Sequence, residues 1–143
     1  MLSGMEDKTK LPQFSVIGLA VIFDTSKKKI LIGRRENDPY LKELTWAFPG
    51  GRANHEEDID KSLKKAVKEK TGYRIKNLGA IFAKTYPEKP NLLSVYFFCE
   101  YIEGKEKVGG DFKELKWVSP KEIEKHFTTS YHPKLKEFID NLG

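Results

Sequence analysis

From Phe14 to Phe23 the chain is almost continuously apolar and β-branched, and such a run between polar flanks predicts a buried strand. Asp24-Thr25-Ser26-Lys27-Lys28 supplies turn chemistry, and Lys29-Ile30-Leu31-Ile32-Gly33 returns as a second strand, so a hairpin is expected. Arg34 to Tyr40 is polar and closed by proline, a loop of the kind in which binding groups concentrate. After Glu57 the pattern changes period. Ile59, Leu63, Ala66 and Val67 recur at spacings of three and four, which marks one buried helical stripe; Asp58 or Asp60 can cap its start and Gly72 its end. Ile75 to Tyr86 and Asn91 to Tyr101 read as two strands separated by Pro87-Glu88-Lys89-Pro90. A charged, glycine-bearing loop from Glu103 to Gly110 leads to a strand over Phe112 to Val118. Ser119-Pro120-Lys121-Glu122 has the form of a capping box and predicts a short helix, and a last helix from about Pro133 to Leu142 places Leu135, Phe138, Ile139 and Leu142 on one face.

The order of two strands, a helix, further strands and two short helices suits an α+β fold, an α/β/α sandwich with helices on both faces of a mixed central sheet. At 143 residues the chain is long enough for one domain with a proper core and too short for two. Residues 1–13, polar and ending near Pro12, are expected as a flexible arm before a single domain over 14–143. The start has no apolar core for a signal peptide, and no apolar run approaches the ~20 residues that span a bilayer, so a cytoplasmic location and no membrane partner are expected. The single Cys99 rules out an intrachain disulfide and, inside an apolar run, reads as a buried inert thiol.

Charge narrows the chemistry. The 26 basic residues exceed the 21 acidic ones by a formal net charge of +5, which favours anionic ligands without demanding nucleic acid. Only four are arginine, and three of these, Arg34, Arg35 and Arg52, flank Trp46-Ala47-Phe48-Pro49-Gly50-Gly51. Arginine is the better bidentate phosphate binder, so this clustering says more than the net charge. Backbone amides around Gly50-Gly51 can approach phosphate closely, and a carbonyl in such a turn is a hard oxygen suited to Mg2+.

Residues 46–73 resemble the signature of Nudix hydrolases, which cleave nucleoside diphosphates linked to another group. The pattern runs Gly, five residues, Glu, seven residues, Arg-Glu, an aliphatic, any residue, Glu-Glu, any residue, Gly, an aliphatic. Gly51, Glu57, Val67, Glu69 and Gly72 fall on their positions and Lys65 replaces the usual arginine, whereas Ala66 and Lys70 stand where glutamates are usual. The resemblance implies the α/β/α sandwich and a nucleotide-derived small-molecule substrate, such as a nucleotide sugar or an ADP-ribose-like compound. It also implies a divalent cofactor, Mg2+ or Mn2+, held by Glu69, the Gly50 carbonyl and a further carboxylate. Glu57 matches a glutamate that supports the metal site, and the loop before the last strand, which completes the site in many relatives, points to Glu106, Asp111 or Glu114; Glu114 is taken as the ligand. Glu69, Glu57 and Arg52 are the expected catalytic residues. Arg35, Arg52, Gly50, Gly51 and Trp46 are expected to bind substrate, with Tyr40, Tyr86 and Tyr96 as further aromatics able to stack on a base.

Arg35-Glu36-Asn37-Asp38-Pro39 with Trp46 and Phe48 to Arg52 is also similar to GDP-mannose mannosyl hydrolases, relatives in which the arginines matching Arg35 and Arg52 contact the diphosphate. Their metal-binding glutamate falls on Lys70 here, and their general-base histidine has no counterpart between Asp111 and Trp117. Lys70 has three readings: a solvent-facing charge, a partner of Glu57, or a fixed positive charge replacing a metal ion. The alternative to an enzyme is a catalytically weak or silent nucleotide-binding module of the same fold. Nucleic-acid binding through the lysine-rich helix has no motif and ranks last. A homodimer stays open.

Overall fold

The computed structural model describes residues 11–36, 45–127 and 131–143. Its backbone is one seven-stranded mixed sheet with helices on both faces. The strands are β1 Ser15–Asp24, β2 Lys29–Arg35, β3 Trp46–Ala47, β4 Gly50–Arg52, β5 Tyr73–Tyr86, β6 Lys89–Gly104 and β7 Phe112–Val118. The helices are α1 Ile59–Thr71, α2 Ile123–His126, entered by a 3-10 turn over Pro120–Glu122, and α3 Pro133–Asp140.

β1 explains its own composition. Ala20 and Ile22 point into a core built with Leu63 and Val67 of α1, while Val21 and Phe23 point into a second core with Ile123, Leu135 and Ile139 of the terminal helices. Side chains of a strand alternate between faces, so a strand covered on both must be apolar throughout. β6 lies parallel to it, Ser15 to Phe23 matching Leu92 to Glu100. Cys99 of β6 is fully buried in the α1-side core, and burial pushes its thiol up to about 12, so it stays protonated and inert.

The expected β1–β2 hairpin forms only beside its turn. Asp24 Oδ1 accepts from the Ser26 amide at 3.0 Å, Lys28 closes the turn at φ 55°, and pairing is confined to Phe23 with Ile30 and Asp24 with Lys29. Beyond that point the strands part. The edge of β2 that faces β1 is taken by β3 at Gly33 and Arg34, β4 fills the vacated edge of β1 at Ile17 to Leu19, and β7 pairs with the other edge of β2 along Ile30 to Arg35. A cleft opens where β1 and β2 diverge.

β5 and β6 are longer than the polar and proline positions predict, and the break between them shrinks to Pro87-Glu88. Pro90 is tolerated because it sits in the register shift between Lys89 and Leu93, before β1 pairing begins at Leu92. The capping box is altered: Ser119 Oγ donates to Glu122 Oε1 at 2.6 Å instead of capping a backbone amide, and Pro120–Glu122 forms a 3-10 turn. The expected loop residues Asn37, Asp38, Pro39 and Tyr40, and most of the expected arm, lie outside the described residues.

Candidate functional site

α1 is the element on which the site is built. Asp58 is its N-cap, its Oδ1 accepting from the Asp60 amide at 2.8 Å, and Gly72 ends it in the left-handed conformation at φ 81°. Leu63 and Val67 are buried against the sheet. One more turn along the same stripe, three residues after Val67, comes Lys70. Its side chain is therefore directed inward, and only 22% of it is exposed.

A helix ends with carbonyls that have no partner of their own. Here the segment after β6 provides them: the Gly109 amide donates to Lys70 O at 3.1 Å and the Lys107 amide to Thr71 O at 2.9 Å. The approach is so close that a Cβ on Gly72 would lie 2.1 Å from Lys105 O and one on Gly109 2.2 Å from Glu69 O. By closing over the helix end, this loop carries Asp111 onto Lys70. Asp111 Oδ1 lies 3.2 Å from Lys70 Nζ and Oδ2 2.6 Å from Arg35 Nη2, so one carboxylate is shared by two cations. Partial burial raises the Asp111 pKa, but Lys70 and Arg35 outweigh that and hold it below the usual carboxylate range. Lys70 Nζ also sits 5.7 Å from the centre of the Phe112 ring.

The cleft beside this triad is lined by Ile17 and Leu19 of β1, Arg35, Phe48, Gly50 to Arg52, Lys70 and Phe112. Its volume of about 160 Å³ is below the ~300–1,000 Å³ of pockets that hold whole ligands, so it suits an anionic group within a larger molecule. Gly50 and Gly51 shape it. A Cβ on Gly50 would lie 2.0 Å from Gly18 O, and one on Gly51 2.9 Å from the Ala66 methyl. The pair lets β4 lie against β1 and α1 together, a packing role beside the phosphate approach expected of them.

The expected site residues divide accordingly. Arg35, Gly50, Gly51 and Arg52 converge on the cleft. Trp46 does not line it; its ring packs edge-on against His126 at 5.4 Å and joins the core under the terminal helices, where a large apolar ring is best buried. Tyr96 is likewise buried, against Phe48 and Phe82, and Tyr86 accepts from Ser94 Oγ at 3.2 Å. Glu114 lies within β7, not in the loop before it, and its carboxylate takes Arg34 Nε at 3.0 Å outside the cleft lining. Glu106 accepts from the Tyr73 hydroxyl at 2.9 Å. Glu69 is exposed, and neither it nor Glu57 lines the cleft. Of the three readings of Lys70, solvent-facing charge, partner of Glu57 or fixed charge in place of a metal ion, the first two give way to a pairing with Asp111. The signal for it was present in the helical stripe; the signal for Asp111 was only its place in the loop.

Among the described residues no three His, Cys, Asp or Glu side chains are grouped to hold a metal ion. Asp111, the carboxylate shared by Arg35 and Lys70 of the cleft lining, is already engaged by those two cations. The donor set therefore does not fit the divalent cluster that the glutamate pattern would supply.

Residues 14–142 match the family described as NUDIX domain. The chain is 23% identical over a 144-residue alignment to a MutT-like protein of Streptomyces ambofaciens, covering 99% of this chain and 88% of that one. It is 28% identical over 92 residues to the ADP-ribose pyrophosphatase of Methanocaldococcus jannaschii, covering 62% of this chain and 53% of that one. A NUDIX hydrolase structure from Nitrosomonas europaea superposes with a TM-score of 0.75 at 16% identity, covering 92% of this chain and 73% of that one, a likeness of fold.

Proposed function

The chain belongs to the Nudix family, whose members are hydrolases acting on nucleotide-derived small molecules, and from that premise we propose that it hydrolyses a nucleoside diphosphate linked to another moiety, with the diphosphate in the cleft beside β4. One observation carries the reading: Arg35, Arg52 and Lys70, from the ends of β2, β4 and α1, converge around Gly50-Gly51. Three cations from separate elements in one small cleft answer the charge of a diphosphate, and guanidinium groups fit its oxygens in pairs. As water attacks phosphorus, charge grows on the oxygens these side chains face, and Arg35 and Lys70, both partly buried, are donors held in place to stabilise that charge. The ADP-ribose pyrophosphatase among the relatives makes ADP-ribose the first substrate to try, with nucleotide sugars next. Nudix hydrolases generally use a divalent metal such as Mg2+ or Mn2+; with Ala66 and Lys70 at two glutamate positions, slow turnover is the expectation.

A second reading is favoured by the Lys70–Asp111–Arg35 network: a module that binds the same diphosphate and releases it unchanged. The two separate in a panel of ADP-ribose and nucleotide sugars incubated with Mg2+, with Mn2+ and with EDTA, followed by phosphorus NMR. Hydrolysis yields a nucleoside monophosphate and a phosphorylated partner, and Arg52→Ala lowers kcat/KM by about tenfold or more, the effect of one charge-assisted hydrogen bond. Saturable binding without product under every metal condition leaves only the module.

A further inference from the structure

We infer that the Lys70 ammonium stands in for a divalent cation in this cleft, so that a diphosphate binds without metal, and that Asp111 is an internal anion which the diphosphate displaces. The inference rests on the diphosphate reading above and specifies how the group is held.

Three features place Lys70 for this work. Its stem leaves α1 on the buried stripe of Leu63 and Val67, and its Cγ would lie 3.0 Å from a Cβ on Gly110, so loop and sheet confine it. Its Nζ ends beside the cleft that Arg35 and Arg52 also line. A divalent ion put there would lie close to the Lys70 ammonium and the Arg35 guanidinium, and like charges at close range in a partly buried site repel strongly.

The same geometry identifies what Asp111 imitates. Its two oxygens each take one cation, Arg35 at 2.6 Å and Lys70 at 3.2 Å. Two anionic oxygens on one carbon present nearly the arrangement of two on one phosphorus, so a phosphoryl group can take both partners at once. Asp111 has somewhere to go, because 39% of its side chain is exposed and Gly110 before it turns at φ 59°. The loop itself can stay, since its amides hold the α1 carbonyls independently of the carboxylate.

Isothermal titration calorimetry with inorganic pyrophosphate and with ADP tests this on the whole chain, in EDTA and in excess Mg2+. The wild type is expected to bind both ligands in EDTA at least as tightly as in Mg2+, because Mg2+ only reduces the ligand's negative charge. Lys70→Met weakens binding in EDTA by about tenfold or more, and Lys70→Arg retains most of it. Asp111→Asn tightens binding by roughly threefold, the scale of releasing a half-exposed ion pair. Binding that requires Mg2+ overturns the inference while leaving the diphosphate reading intact, and this comparison needs no variant. Failure of pyrophosphate and ADP to bind with or without Mg2+ sinks both. A Lys70→Met protein with a wild-type melting profile and unchanged affinity removes the cation role, and weaker binding by Asp111→Asn would make Asp111 a positioning residue for Lys70 instead.

Discussion

At the scale of single residues, Asp111 shows how an unremarkable loop carboxylate acquires a role through its neighbours. Its pKa is depressed in the folded chain because Lys70 and Arg35 favour the charged form more than partial burial opposes it. The sign follows. A carboxyl whose folded pKa lies below its unfolded value of about 3.9 contributes stability above that value and loses it as pH falls through the folded pKa. Wild type is therefore expected to be more stable than Asp111→Asn near neutrality and to lose that advantage as the medium is acidified below about pH 4. Urea unfolding of both proteins across the acid range checks this; a gap that stays constant with pH would assign the difference to something other than the ion pairs. With more than a third of Asp111 exposed, solvent screening keeps the gap small.

At the scale of elements, α1 and the segment after β6 act as one unit. Asp58 opens the helix, Gly72 closes it, and the Lys107 and Gly109 amides satisfy the carbonyls left over. Both Asp58 and Asp60 satisfy a sequence rule for capping; the structure assigns the cap to Asp58, while Asp60 pairs with Lys64 at 3.0 Å. Asp58→Ala is expected to cost about 1 kcal/mol, and Asp60→Ala less, since an exposed pair one turn apart contributes only a few tenths. Guanidinium denaturation of the two variants decides it, and an equal loss from both would contradict the cap assignment.

At the scale of the whole molecule, β1 joins two cores, one under α1 and one under the terminal helices. Neither core can form without it, so the two are expected to unfold together. Leu63→Ala and Leu135→Ala, on opposite faces, should each lower one common transition by about 2–5 kcal/mol. Calorimetry that resolved two transitions, with each variant moving only one, would show the faces to be independent. Among the described residues no helix is long and apolar enough to cross a membrane.

What the sequence determined by itself is what local periodicity and turn chemistry encode: the buried β1, the inward stripe and glycine stop of α1, the order of elements, and the glycine and arginine framework of Gly50, Gly51, Arg52 and Arg35. These signals lie within a few residues of one another, and short-range sterics and hydrophobic alternation are sufficient to produce them. Only the tertiary structure decided how far the hairpin runs, because β3 and β4, which take the facing edges of β2 and β1, come from later in the chain. It also decided which carboxylate meets the site. Glu114 sits across from Arg34 in the β2–β7 register and is neutralised there, whereas Asp111, forty-one residues beyond Lys70 in the chain, is delivered by a loop whose amides seek the open carbonyls of α1. Hydrogen-bond satisfaction at a helix end, rather than any motif, set the charge of the cleft.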